Sequence, residues 1–251
     1  AFRQDEATYD AISVSNRALK NTVWFLAVAD NRNTITNDNT EEGIILFNAK
    51  YTFSPDLSTS AYYYAIQDTN GIKGLDFDTY GVRSTGNVNR FSFAAELATQ
   101  NKSTASDDFN TLYYHLNAGT KLGAIKATLG YEAFGSDRGR AAFATPLGTN
   151  HKFFGWTDVF LSGGDNDGID DVYASAASMI AGIKVVGQLH NYHTSQKRDP
   201  LGNEIGIMFD KSFGSYGAAL KLAQYFASDY AEDNLAKADT VKIWLSVNAK
   251  F

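Results

Sequence analysis

Apolar and polar residues alternate one by one along most of this chain, in segments of about ten residues. The cleanest segment closes the sequence. Val241, Ile243, Leu245, Val247, Ala249 and Phe251 share one face, and Lys242, Trp244, Ser246, Asn248 and Lys250 share the other. A period of two is that of an extended strand whose faces meet different surroundings. The same alternation sets Ile45, Phe47, Ala49, Tyr51 and Phe53 against Asn48, Lys50 and Thr52. It sets Phe91, Phe93, Ala95 and Leu97 against Ser92, Glu96 and Gln100, and Leu112, Tyr114, Leu116 and Ala118 against Tyr113, His115 and Asn117. Ile125, Ala127, Leu129 and Tyr131 oppose Lys126, Thr128 and Glu132, while Ile205, Ile207, Phe209 and Phe213 oppose Asp210 and Ser212. Less regular segments near 7–17, 21–31, 57–67, 76–85, 171–181, 183–193 and 217–227 bring the expectation to about thirteen strands, with no long helix between them.

The connections alternate as well. Tight joints fall at Ala18 to Lys20, Ser54 to Asp56, Thr85 to Asn89, Lys121 to Gly123, Ala181 to Gly182 and Gly214 to Gly217. Between them run longer polar segments: Asn31 to Glu42, Asp68 to Gly74, Asn101 to Asp108, Ser136 to Asp170, Thr194 to Leu201 and Ser228 to Asp239. Short turns at one end and long loops at the other are the pattern of a transmembrane antiparallel β-barrel of the bacterial outer membrane, in a Gram-negative cell. A soluble sandwich has no reason to keep that rhythm.

Composition narrows the classes. Seventeen Phe, fourteen Tyr and twenty-one Gly favour strands and turns. No apolar run reaches the ~20 residues of a membrane helix. A net charge of −6 lacks the basic footprint of a nucleic-acid binder. The absence of Cys removes disulfides, thiolate metal sites and a Cys nucleophile. Ala1 to Asp10 carry charge where a signal peptide has an apolar core, so the sequence reads as mature, cytosolic or a fragment. The aromatic Phe251 on an alternating last strand is the feature that outer-membrane assembly machinery recognises.

Strand parity raises a question. With the C-terminus in the periplasm, counting back puts the start of the segment 7–17 outside, whereas a closed barrel has an even strand number. Either the first twenty or so residues do not span, leaving a closed twelve-stranded barrel, or further strands precede this chain. Three stretches bear on the choice. Thr145 to Tyr173 (TPLGTNHKFFGWTDVFLSGGDNDGIDDVY) resembles a GW-x-D segment of the alginate export family of outer-membrane porins. Arg3-Gln4-Asp5 through Tyr9-Asp10-Ala11, and Asp78-Thr79-Tyr80-Gly81-Val82-Arg83, resemble two of its strands. The resemblance implies an eighteen-stranded barrel with strands before the first one here, and a porin whose substrate the family name does not fix. The acidic GGDNDG stretch departs from the family's proline-bearing loop.

For such a barrel, residues 1–251 forming one domain, the working surface is the lumen wall. With the apolar faces turned to lipid, the inward positions include Lys50, Arg83, Lys126, Lys184, Lys221, Lys242 and Lys250, with the acids Glu96, Glu132 and Asp210 and the indole of Trp244. A basic lining lowers the cost of admitting an anion. The bland alternative is that these charges pair among themselves. Tyr113, Tyr192, Tyr225 and Trp244 on the polar face read first as interfacial anchors and second as stacking surfaces for sugars. Ser136 to Asp170 is too long for an idle loop. Its His151, Phe153, Phe154, Trp156, Asp158 and Phe160 point to a loop folded into the lumen as a constriction, against the alternative of a cap on other loops. Asp165, Asp167 and Asp170 have the oxygen-rich spacing of a Ca²⁺ loop but lack its closing Glu. The motif is weak, a solvated acidic loop is the favoured reading of them, and no other cofactor is indicated.

No catalytic constellation stands out. His115, His151, His190 and His193 form no H-x-x-x-H pair, and there is no G-x-S-x-G elbow. The reading is therefore a porin passing small hydrophilic solutes, among them anionic sugars or oligosaccharides. A structural or adhesive barrel without conductance is the alternative, and an outer-membrane enzyme a more distant one. Its partners would be outer-membrane lipid, assembly machinery and solutes, but not nucleic acid.

Overall fold

The computed structural model describes residues 8–33, 39–68, 76–148, 154–161, 163–235 and 237–249. Arg3-Gln4-Asp5, His151, Phe153, Lys250 and Phe251 lie outside the described residues. The alternating segments form β1 (Thr8–Asn16), β2 (Thr22–Asn33), β3 (Asn39–Ser54), β4 (Leu57–Asp68), β5 (Asp76–Val88), β6 (Phe91–Ser103) and β7 (Asp108–Leu122). They continue as β8 (Ile125–Phe134), β9 (Ile169–Ile180), β10 (Ile183–His193), β11 (Pro200–Phe213), β12 (Tyr216–Ala227) and β13 (Thr240–Ala249). The result is a thirteen-stranded antiparallel sheet in chain order. One short helix, α1 (Asp229–Leu235), occupies part of a segment read from sequence as polar loop. β1 pairs with β2 from Thr8↔Asn33 to Asn16↔Trp24, so the first segment is a strand of the sheet.

The chain packs as two compact units, Ala1–Gly86 with Ala95–Tyr113, and Asn87–Ala94 with Tyr114–Phe251. In the first unit the registers Asn48↔Tyr62↔Gly81 and Lys50↔Ser60↔Arg83 put these residues on one polar face. Ile45, Phe47, Tyr51, Phe53, Tyr80, Val82 and Leu97 stand exposed on the other. β2 blurs the alternation for a visible reason. Val23 and Phe25 pair with Lys50 and Asn48 on the polar face while Trp24 and Leu26 pair with Ala49 and Phe47, so this strand is apolar on both sides.

In the second unit the apolar face carries Leu129, Val172, Leu189, Ile205, Ile207, Ile243, Leu245 and Val247, all exposed. Its core sits instead on the polar-face side, at the long-loop end of the strands. There Phe134, Phe154, Phe160, Ile169, Tyr192 and Tyr225 are buried.

One device recurs in both units. Gly81 on β5 lies directly beneath the ring of Tyr62 on β4, and the Tyr62 hydroxyl passes over it to donate to Glu96 on β6 at 2.7 Å. Gly130 on β8 lies beneath Tyr173 on β9, whose hydroxyl reaches His115 on β7 at 2.8 Å. A Cβ at either glycine would occupy the ring's place. A tyrosine covering a cross-strand glycine ties three strands with one side chain.

A continuous exposed apolar face is a solvation problem in water and an asset in lipid. Leu245, 76% exposed on β13, reports which solvent it meets. Leu245→Arg is expected to cost about 2–4 kcal/mol in denaturant titrations of the lipid-reconstituted chain, with Ser246→Arg on the polar face near neutral. Equal, negligible costs would show that this face meets water.

Candidate functional site

The polar face of the second unit is organised in cross-strand rows. Nearest the long loops runs Glu132↔Asp171↔Tyr192↔Gly202. The next row is Gly130↔Tyr173↔His190↔Glu204↔Tyr225, followed by Thr128↔Ser175↔Gln188↔Gly206↔Ala223↔Lys242. A further row contains Lys126↔Ala177↔Val186↔Met208↔Lys221↔Trp244, and Lys184↔Asp210 stands nearest the short turns.

Residues 154–161 of the long connection lie against this face. The anchor is Glu204, 2% exposed, whose carboxylate accepts from the backbone N–H of Trp156, the backbone N–H of Thr157 at 3.1 Å and the Thr157 hydroxyl. Donors converging on one carboxylate make a charge-assisted clasp, stronger per bond than neutral pairs. Gly155, at φ +78°, makes the approach possible, because a Cβ there would collide with Glu204 and the Tyr192 hydroxyl. Small residues on β11 complete the seat, since the indole of Trp156 lies over Gly206.

Aromatic contacts secure the flanks. Phe154 packs edge-on against Phe134 at 4.8 Å, and Phe160 against Tyr192 at 4.9 Å and Tyr225 at 5.6 Å. Asp158 receives Lys242 at 2.9 Å, and Lys237 donates to the Val159 carbonyl at 3.0 Å. Lys221 lies 5.2 Å from the ring of Trp156 and 4.3 Å from that of Trp244. The fold thus gathers Phe154, Trp156, Asp158 and Phe160 with Lys221, Lys242 and Trp244.

Beside the clasp runs a stack of rings. His115, Tyr173, His190 and Tyr192 follow one another at 6.1, 5.7 and 5.6 Å with interplanar angles of 16–25°. His190 Nδ1 is 2.7 Å from Asp171 Oδ2, both buried, so the carboxylate fixes the ring's orientation.

The other sequence-derived positions separate. Arg83 is held by Glu96 at 2.5 Å in the first unit, where Glu96 also takes the Tyr62 hydroxyl. Lys50, Lys126 and Lys184 stand exposed on the polar face, Lys184 opposite Asp210. Glu132 is buried opposite Asp171. The sequence reading named three acids on this face; Asp171 and Glu204 must be added. Asp171 stands next to a long loop where alternation has no preceding partner, and Glu204 sits between Gly202 and Gly206, which blur its strand. Tyr192 and Tyr225 are fully buried beneath residues 154–161 and Tyr113 is buried as well, so none of the three offers a solute a stacking surface.

Two of the three aspartates of the proposed Ca²⁺ loop go to cations of the protein. Asp167 binds Lys197 at 2.8 Å and holds its ammonium above the ordinary lysine pKa, chiefly through that hydrogen bond. Asp170 takes Arg198 and the Tyr131 hydroxyl, while Asp165 closes a small turn to Gly168. Among the described residues no three His, Asp or Glu gather as a metal cage.

Solved structures with this architecture are outer-membrane porins of the Occ/OprD family. The fold is theirs. OccK5 (OpdH) of Pseudomonas aeruginosa superposes with a TM-score of 0.68 at 10% identity, over 96% of this chain and 70% of that one. OpdO of the same organism gives 0.67 at 11% identity, over 100% and 72%. OccAB4 of Acinetobacter baumannii gives 0.65 at 12%, over 99% and 68%. No protein-family model matches the chain, and no curated protein matches it by sequence.

These neighbours correct the resemblance drawn from Thr145 to Tyr173 and the two strand motifs. They are Occ/OprD porins and not alginate export porins. Short aromatic and glycine motifs recur wherever strands alternate between an apolar and a polar face, so scattered matches of that kind follow the architecture and not the family.

The clasp makes a direct prediction. Glu204→Ala leaves the Trp156 and Thr157 donors without their acceptor, and residues 154–161 should lift more often from their seat. Trypsin cleavage at Arg138 and Arg140 is then expected to quicken at least about tenfold, since a lost charged hydrogen bond is worth ~1.5–3 kcal/mol. Cleavage at the unmodified rate would mean that the aromatic flanks alone hold the segment.

Proposed function

We propose that this chain forms wall strands of an outer-membrane channel for small hydrophilic solutes, with anions favoured over cations. The observation that carries the reading is the pairing of an exposed apolar face with an ion-bearing polar face on strands of porin fold. The named neighbours are channel porins, not enzymes. Thirteen strands in about 70% of a neighbour's length support a complete barrel of about eighteen strands over a closed barrel of twelve.

The polar face is then the lumen wall, and residues 154–161 are its constriction. The anion preference rests on which charges a solute could meet. Glu132, Asp171 and Glu204 are buried, and Glu96 is engaged by Arg83 and Tyr62. Lys50 and Lys126 are exposed and form no ion pair among the described residues. Asp210, half-buried, stands opposite Lys184, so the balance of accessible charge is basic although the chain as a whole is acidic. A cation on a narrow, low-dielectric wall replaces part of an anion's lost hydration.

Single-channel recording in planar bilayers under a salt gradient tests both parts. Discrete conductance steps with a reversal potential on the anion side are expected. Lys126→Glu with Lys184→Glu should move that potential toward cations. Stably inserted protein without conductance would favour the structural barrel, and conductance indifferent to the double substitution would remove the anion preference.

A further inference from the structure

The short-turn end of the second unit has a charge balance opposite to that of the whole chain. The chain carries a net −6, yet residues 87–94, 118–128, 176–188 and 208–220 hold five cations, Arg90, Lys121, Lys126, Lys184 and Lys211, against the single carboxylate Asp210. Asp210 is also the cross-strand neighbour of Lys184 on the polar face. Two of the five cations belong to the other side of the sheet. Lys211 alternates with Phe209 and Phe213 on the apolar face, and its ammonium stands 5.1 Å from the Phe213 ring centre. Arg90, in the turn between β5 and β6, places its guanidinium 5.2 Å from the ring centre of Phe91.

Both rings are about half exposed, and Tyr216, 61% exposed, stands opposite Phe213. A cation held over an exposed ring at the end of an apolar strand face has two complementary needs. The ring requires a place between acyl chain and headgroup, and the cation requires an anion at headgroup height. No acidic side chain in these segments lies on the apolar face to supply that anion.

We propose that this rim binds the phosphate headgroups of anionic phospholipids, with Arg90 and Lys211 as the two contacts. The proposal rests on the outer-membrane reading above and adds to it a lipid preference confined to the short-turn end. Short turns of such barrels face the periplasm, so the lipids concerned are those of the inner leaflet. Lys121, Lys126 and Lys184, on the polar face or at its edge, add to the potential at this end without touching lipid.

The test is native mass spectrometry of the complete barrel protein that carries this chain, purified in neutral detergent and offered equal amounts of phosphatidylglycerol and phosphatidylcholine with the same acyl chains. The unaltered chain should retain phosphatidylglycerol over phosphatidylcholine by about tenfold or more, because each cation near an anionic headgroup contributes about a fivefold preference. The double substitution Arg90→Gln with Lys211→Gln should bring the ratio close to one. Lys197→Gln, in a long-loop connection, should leave it unchanged. Equal retention by the unaltered chain overturns the proposal, as does a preference that survives the double substitution. A chain that stays monodisperse without detergent and retains neither lipid refutes the outer-membrane reading itself.

Discussion

A strand has two faces and a period of two, and in this chain every strand but β2 must present a different chemistry on each. A slip of one residue would exchange the faces along a whole strand, setting Lys242 and Lys221 among Leu245 and Leu220. Register is therefore pinned at every pair. Cross-strand rows such as Gly130↔Tyr173↔His190↔Glu204↔Tyr225 exist only because the registers of five strands agree. The tyrosines that lie across Gly81 and Gly130 reinforce that agreement, since each hydroxyl finds its partner on a third strand only in one alignment.

On that frame the polar face differs along its length. Toward the long loops it is covered, with buried acids, a ring stack and a loop segment held by backbone donors on Glu204. Toward the short turns it is open and basic, and the basic character continues around the strand ends to the apolar side at Arg90 and Lys211. The covered region holds acids that would otherwise oppose the open one. Burying Glu204 is tolerable because its charge meets convergent donors, and burying Asp171 because His190 stands against it. A chain that is acidic by composition can thereby present exposed cations on its polar face.

Much of the architecture was legible in the sequence because its signal is local. Alternation over ten residues names a strand, and turn length names its ends. The strand segments and the polar positions of Lys50, Lys126, Lys184 and Lys242 all follow from neighbours within one segment. Where local order was weak the reading weakened with it, as at β2 with apolar residues on both faces and at α1, whose seven residues carry no longer pattern.

What the sequence determined by itself was the set of strands and which residues share a face. The tertiary structure alone decided which of those residues meet. No spacing places Glu204 beneath Thr157, forty-seven residues away, or Lys242 against Asp158, eighty-four away. Those contacts depend on registers across several strands and on one glycine at positive φ. The same is true of accessibility. Tyr192 and Tyr225 carry the same polar-face signature as Trp244, but a loop from elsewhere in the chain buries them and leaves the indole partly open. Period two fixes a side chain's direction; only the packed chain fixes what lies there.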